Sequence, residues 1–285
     1  MLDNRIYTFL KLCEMMNYRA TAEALLMTQP AVTQHIQSLE REYNCKLFLY
    51  NNRTLSMTDN ATRLRQCCES ALYNEVVFRK YISAEKKKPL RIGATKTIGN
   101  YSIDNNISRL LINENIKFSI VIDNTKKLLE MLDNSLLDFA LVEGYFDKNK
   151  YAYKLMKNEE FVGISSKSHP LAGKIIKIED IKNETVIIRE PGSGTREIFE
   201  RILTSYNYNM DCFDRVCDIN SFELIKKCIA ESNAITFGYK TIAESDDRLE
   251  SFYFSDKKIY HEFNFVYLKD SLAEEVVRDF LSIDN

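Results

Sequence analysis

The first apolar pattern in the chain is helical. Leu2, Ile6, Phe9, Leu10 and Cys13 recur at three- and four-residue intervals, the stripe of a helix lying on a core. Asn17 and Tyr18 interrupt it. A second short helical stretch, Arg19 to Leu26, carries Ala20, Ala22 and Ala24, small residues that let another helix approach closely. Thr28 is placed to cap a third helix through its hydroxyl, and Pro30 fits the first turn, where a missing N–H is not needed. This third helix runs to about Tyr43. On it Val32, Ile36 and Leu39 share one face, while Thr33, Gln34, Gln37 and Arg41 share another that is polar and free to contact something.

Further along, Cys45–Leu49 and Arg53–Met57 read as two short strands around an Asn51-Asn52 turn, a β-hairpin. From there the series Ala61, Leu64, Cys68, Ala71, Glu75, Phe78 and Ile82 steps alternately by three and four, a heptad seam with one charged member. Such a seam needs a partner helix. Lys86, Lys87, Lys88 and Pro89 end the helix, because the residue before a proline disfavours helical geometry. After Pro89, strands alternate with helical stretches: Leu90–Ala94, Lys117–Ile122, Phe139–Val142, Val162–Ser165, Val186–Arg189 and Arg215–Ile219. That alternation predicts α/β units with mainly parallel sheets.

Composition narrows the field. At 285 residues the chain fits two or three compact units, and its 45% hydrophobic and 28% charged residues are globular proportions. No run approaches a membrane span, and the start lacks the pattern of a secretion signal, so a cytoplasmic protein is expected. Seven cysteines, odd in number and irregularly spaced, read as reduced thiols rather than a disulfide framework. Cys212 and Cys217 form a conceivable redox pair, although cysteine commonly serves as a small apolar residue. His35, His169 and His261 stand far apart without zinc-ligand spacing, so neither metal nor cofactor is expected. Residues 1–88 hold 13 Lys/Arg and 9 Asp/Glu, a charge of +4, whereas the remainder carries −6. A basic head on an acidic body suits a polyanion partner for the head.

Gln and Thr side chains on the polar face of the third helix can donate and accept at base edges in a major groove, and Gln suits adenine in a bidentate pair. Arg53, at the hairpin tip, is placed for a phosphate or a minor groove. The stretches Asn17-Tyr-Arg-Ala-Thr-Ala-Glu-Ala-Leu25, Thr28-Gln-Pro-Ala-Val-Thr-Gln-His-Ile36, Leu39-Glu40 and Leu47-Phe48 closely resemble the DNA-binding domain of the LysR-type regulators. The resemblance implies a winged helix-turn-helix whose third helix reads the major groove. Its implied DNA-contacting residues are Arg19, Thr28, Gln29, Pro30, Thr33, Gln34, Gln37 and Arg53. It also names the seam's partner as the same helix of a second subunit, hence a homodimer or homotetramer on an inverted-repeat operator in double-stranded DNA, with RNA polymerase a further candidate partner. One departure is Ala61, where the family usually has glycine.

In open α/β sheets, ligands sit beyond the carboxyl ends of strands. Two such loops stand out. Gly93-Ala-Thr-Lys-Thr-Ile-Gly99 offers hydroxyls at Thr95 and Thr97 and a cation at Lys96. Arg189-Glu-Pro-Gly-Ser-Gly-Thr-Arg-Glu197 leads into a helix: its glycines let backbone approach a ligand, Ser193 and Thr195 supply hydroxyls, and free N–H groups favour an anion. It is not a Walker loop, since Arg196 follows Thr195. The module resembles the LysR-type effector domain, two α/β subdomains like those of periplasmic binding proteins, with ligand held between them. Asp123-Asn-Thr125, Asp138-Phe-Ala-Leu-Val-Glu-Gly144 and Ser166-Lys-Ser-His-Pro-Leu171 are similar to recurring family stretches.

The expected organisation is therefore a DNA-binding domain at 1–58, a dimerisation helix and hinge at 59–88, one effector subdomain from 89–160 plus 266–285, and a second at 161–265. The expected effector residues are Thr95, Lys96, Thr97, Thr125, Ser193, Gly194 and Thr195. Glu143 ranks below these hydroxyls, because a carboxylate beside a doubly charged anion repels it unless a proton is shared. The two loops look most like the CysL-like branch, associated with sulfur assimilation, which implies sulfite or a related oxyanion as effector. A phosphorylated metabolite or a redox signal is the alternative. An enzyme on a binding-protein-like fold is the remote rival, but no nucleophile–base pair or metal cluster is visible to support it.

Overall fold

The computed structural model describes residues 3–51, 54–82, 89–112, 116–254 and 258–282. Its contacts divide the chain into two units. The first comprises Met1–Lys86 with the short segments Asp133–Ser135 and Leu268–Leu272; the second comprises the rest.

The first unit begins with α1 (Asn4–Met15), α2 (Tyr18–Ala24) and α3 (Gln29–Glu42). Each starts on a side-chain cap that its sequence supplies: Asp3 accepts from the Arg5 N–H, Asn17 from Ala20 and Thr28 from Ala31. Pro30 occupies the first turn of α3. Strands β1 (Phe48–Asn51) and β2 (Thr54–Met57) pair antiparallel as a hairpin, with β1 starting three residues later than the apolar run suggested. Ile6, Phe9, Leu12, Cys13, Ile36, Leu39, Leu47 and Phe48 form the core, each large side chain contributing about 1.5–3 kcal/mol by leaving water. Leu2, Arg53 and Lys86–Lys88 lie outside the described residues.

Helix α4 (Asp59–Ile82) follows, its start capped by the Thr58 hydroxyl, which accepts from the Ala61 N–H. Here the structure changes the sequence reading of the heptad seam. Ala61 and Cys68 are buried in the core of the same unit, with Leu64 packed against it, so the first turns of the seam cover the chain's own helix-turn-helix. Further along, Phe78 is exposed and Glu75 is ion-paired with Arg79. Ala61 stands where a side chain larger than alanine meets the core, since it is fully buried.

The second unit is α/β. It runs β3 (Leu90–Thr95), α5 (Lys96–Tyr101), α6 (Asp104–Ile112), β4 (Phe118–Asp123), α7 (Thr125–Asp133), β5 (Phe139–Glu143), β6 (Tyr151–Ser166), β7 (Ile175–Ile176), β8 (Thr185–Ile188), α8 (Gly194–Ser205), β9 (Arg215–Asp218), α9 (Phe222–Ala230), β10 (Ile235–Tyr239), α10 (Lys240–Glu244), β11 (Leu249–Phe254), β12 (Ile259–Leu268) and α11 (Ala273–Ser282). The main sheet has the order β4-β3-β5-β12-β6-β10-β8-β9. At one end β3 lies parallel between β4 and β5; at the other, β8 lies parallel between β10 and β9. The two long strands at its centre, β12 and β6, join these halves and pair antiparallel with β5 and β10. The expectation of mainly parallel pairing thus holds within each half and fails where the halves meet. β6 is 16 residues long, four times the predicted Val162–Ser165, because its first ten residues mix charges with apolar positions and hide the alternation.

Candidate DNA-binding surface and effector site

On α3 the two faces separate as their spacing requires. Val32, Ile36 and Leu39 are at most 1% exposed, whereas Thr28, Gln29, Pro30, Gln34 and Gln37 are exposed. Thr33 is half-buried and its hydroxyl donates to the Gln29 carbonyl at 3.0 Å, so it serves the helix backbone. Arg19 is exposed and pairs with Glu23 at 3.1 Å. A depression of about 560 Å³, open to solvent, lies near the C-terminal end of α3, lined by Gln37, Glu40, Arg41, Asn44, Cys45 and Lys46. It is a surface groove distinct from the exposed N-terminal turn of the helix.

The second site lies in the α/β unit, where the two halves of the sheet meet. Thr95 ends β3, Glu143 ends β5 and Tyr239 ends β10, so three strands deliver polar groups from their carboxyl ends. The halves touch closely. A Cβ on Gly194, the first residue of α8, would stand 2.5 Å from the Glu143 carbonyl oxygen and 3.1 Å from Thr125 Oγ1. Gly144 answers from the other side with φ +91, and a Cβ there would stand 2.9 Å from the Gly194 Cα. Glycine is required at both positions for this approach.

Of the expected effector residues, Thr95, Thr97, Thr125, Ser193 and Thr195 are all buried. Their hydroxyls divide into two groups. Thr97 donates to Glu143 Oε1 at 3.0 Å and Thr125 donates to the Glu143 carbonyl at 3.3 Å. The Thr95 and Thr195 hydroxyls have no hydrogen-bond partner among the described residues, and neither do Glu143 Oε2, Tyr239 Oη and Thr241 Oγ1. Ser193 occupies the cap position of α8 but makes no side-chain cap bond, so the first-turn N–H groups of this 12-residue helix are left for another acceptor. The Thr195 methyl faces Gly238, the residue before Tyr239, at 3.7 Å from where a Cβ would stand. Unpartnered buried polar atoms are uncommon in folded proteins, and each calls for an account; among these, Tyr239 lies within electrostatic reach of Glu143.

Lys96 is placed differently from its expected role. Its ammonium is held by Glu190 Oε1 at 3.1 Å and by the Asn220 carbonyl at 2.8 Å, and Glu190 is also bonded by Arg189. Lys96 therefore ties one half of the sheet to the other. The sequence reading ranked Glu143 below the hydroxyls and did not single out Tyr239 or Thr241. Burial pushes the Glu143 carboxyl up to about 7, with the Thr97 hydrogen bond and the Arg189 charge opposing in part. Burial, and then the nearby Glu143, drive the Tyr239 phenol well above its usual value. All seven cysteines are free thiols; burial raises Cys212.

A winged helix-turn-helix followed by an α/β module with a buried polar site defines the class of small-molecule-responsive DNA-binding regulators. Residues 4–62 match the family model described as bacterial regulatory helix-turn-helix protein, lysR family, and residues 83–283 match LysR substrate binding domain. The chain belongs to the LysR family of transcription regulators. It is 30% identical over 203 residues to the HTH-type transcriptional regulator CysL of Bacillus subtilis, covering 70% of this chain and 68% of that one. Among solved structures, a hydrogen-peroxide-bound OxyR from Corynebacterium glutamicum superposes with a TM-score of 0.61 at 19% identity, covering 98% of this chain and 90% of that one. The regulatory domain of CcmR from Synechocystis PCC6803, in complex with 2-PG, gives 0.60 at 21% identity over 68% of this chain and 96% of that domain. These likenesses show the fold. The family is one of regulators, not enzymes, and no helix among the described residues is long and apolar enough to cross a membrane.

Proposed function

We propose that this LysR-type regulator is switched by a small oxyanion bound between the two halves of its α/β sheet, with a sulfur oxyanion such as sulfite the leading effector. The observation that carries this is the set of buried, unpartnered hydroxyls of Thr95 on one half and Thr195 on the other, beside the uncapped start of α8. An oxyanion accepts from both hydroxyls and from the helix N–H groups, which also favour negative charge. The 30% identity to CysL supports the sulfur class. Exposed Gln34 and Gln37 on α3 are the base-reading side chains in this proposal, with Arg19, Thr28, Gln29 and Arg53 on the phosphates or the minor groove. A symmetric oligomer places two copies of α3 on an inverted-repeat operator in the cytoplasm.

The test is thermal shift of the full chain against sulfite, sulfate, phosphate and 2-PG. A ligand present at 100 times its Kd adds about 2.7 kcal/mol of stability, a shift of several degrees. Stabilisation by sulfite supports the reading, and stabilisation by 2-PG alone replaces it with a phosphorylated metabolite. No shift with any oxyanion rejects it.

A further inference from the structure

The hydroxyls explain how the site holds an anion but not why it contains an acid. Glu143 is 2% exposed; Oε1 accepts from Thr97, and the buried Oε2 has no hydrogen-bond partner among the described residues. Its neighbours come from several elements. Thr97 meets it from α5, Gly194 of α8 packs on its backbone carbonyl, and Phe263 of β12 lies opposite it in register. Arg189 follows β8 and supplies an attractive charge, but its guanidinium is bonded to Glu190. Tyr239, fully buried at the end of β10, is fixed edge-on by Phe161 at 5.5 Å and by Phe263 at 4.7 Å, with its hydroxyl also unpartnered. A bare carboxylate with one hydrogen bond is costly in such a place, and a proton on Oε2 removes the charge and turns the empty oxygen into a donor.

We propose that Glu143 and Tyr239 form the part of the effector site that reads a proton: one proton lies between Glu143 Oε2 and an oxygen of the oxyanion, while the Tyr239 hydroxyl donates to a second oxygen. The inference rests on the oxyanion reading above. With one shared proton a dianion and Glu143 carry a combined charge of −2; without it they carry −3 in a dry site. The site therefore takes a weakly basic oxyanion such as sulfite, which holds a proton near neutrality, and disfavours sulfate, which does not. The raised pKa of Glu143, about 7, and the neutral phenol of Tyr239 are both in keeping with this arrangement.

Isothermal calorimetry of sulfite binding to the full chain, in buffers of different ionisation enthalpy, counts the protons. Above the Glu143 transition and with sulfite as the dianion, binding takes up close to one proton, and affinity falls about tenfold per pH unit between about pH 8 and pH 9. In Glu143→Gln the uptake disappears, the affinity is flat over that range and the preference for sulfite over sulfate shrinks. Tyr239→Phe keeps the proton uptake and binds at least tenfold more weakly; unchanged affinity removes the phenol from the site. If Glu143→Gln does not fold, the proton count on the unsubstituted chain decides alone. Sulfite binding with no proton uptake and no pH slope overturns the inference and leaves the oxyanion site standing. Failure of every oxyanion to bind overturns both.

Discussion

Thr97 donates its hydroxyl to Glu143 Oε1 at 3.0 Å, and both side chains are buried. The bond stabilises the charged carboxylate, yet desolvation outweighs it and the group titrates near 7 rather than at 4.5. Between those values the folded chain holds more protons than the unfolded one, so stability falls as pH rises. The contribution is fully present below 4.5 and is lost on passing through 7, a loss on the order of 3 kcal/mol. Glu143→Gln, which keeps an acceptor for Thr97, should match the unsubstituted chain at low pH and exceed it at about pH 8. Thermal melts of both across this range, in buffer free of oxyanions, check it; parallel curves would remove Glu143 from the pH response.

Thr95 and Thr195 make opposite demands on stability and binding. Each buries a hydroxyl without a partner among the described residues, a penalty of about 1–3 kcal/mol that an isosteric methyl avoids. Thr195→Val should therefore leave the ligand-free chain at least as stable while lowering oxyanion affinity about tenfold or more, each hydrogen bond to a charged ligand contributing about 1.5–3 kcal/mol. Thr95→Val should do the same. Paired melting and calorimetry separate the two effects. A variant that loses stability and keeps affinity would make these hydroxyls ordinary core groups.

The helix-turn-helix was legible because its information is local: caps at Asn17 and Thr28 and the Val32, Ile36, Leu39 stripe lie within a few turns of what they organise. The proposed effector site was half legible. Thr95 ends β3 and Thr195 lies in the first turn of α8, after β8, so both stand near the carboxyl ends of strands, where open α/β sheets place ligands and where the sequence directs the search. The same rule applied to β5 points to Glu143, where repulsion of a dianion argues against a carboxylate, whereas Tyr239 ends β10, a strand the apolar pattern does not predict. Lys96 misled for the converse reason. Its partner, Glu190, is 94 residues away in sequence, so nothing local announces that the cation is already engaged. The long strand β6 escaped because its early residues, Tyr151 to Glu160, mix charges with apolar positions rather than alternating in hydropathy.

Gln34 is exposed on α3 while its neighbours Val32 and Ile36 are buried, so truncating it should not disturb the core. Gln34→Ala should lower discrimination between operator and random DNA by about 1–3 kcal/mol if the amide bonds adenine bidentately. Arg53→Ala should weaken both kinds of binding more evenly. Titrations on the two DNAs at one fixed salt concentration give the comparison, and equal losses for Gln34→Ala would end its assignment as a base reader.

Leu26 sits in the turn between α2 and α3 with φ 53 and a relative exposure of 95%. A branched apolar side chain gains nothing there and strains the left-handed backbone, which Asn tolerates better. Leu26→Asn should raise the stability of the first unit by about 1 kcal/mol, seen as a higher urea midpoint at unchanged slope. A lower midpoint would mean that Leu26 packs on something in solution.

Gly194→Ala tests the closeness of the two halves of the sheet most directly. At the start of a helix this change ordinarily stabilises by about 0.4–1 kcal/mol, since alanine has less freedom to lose and Gly194 does not adopt a positive φ. Here the added Cβ would stand 2.5 Å from the Glu143 carbonyl oxygen, a backbone atom that cannot swing aside as a flexible side-chain end would. Either the Glu143–Gly144 turn or the start of α8 must move by roughly an ångström. Both carry the proposed site: the first holds the carboxyl, the second the uncapped N–H groups and Thr195. We expect Gly194→Ala to lower the melting temperature and to reduce oxyanion affinity more than Thr195→Val does, because it displaces several donors together. Binding of the ligand-free chain to random DNA, which depends on the first unit, should be unchanged. Calorimetry and a DNA titration on the same preparation distinguish this from general unfolding. A Gly194→Ala chain that is more stable and binds oxyanion normally would show that the halves stand farther apart in solution than Gly144 and Gly194 place them.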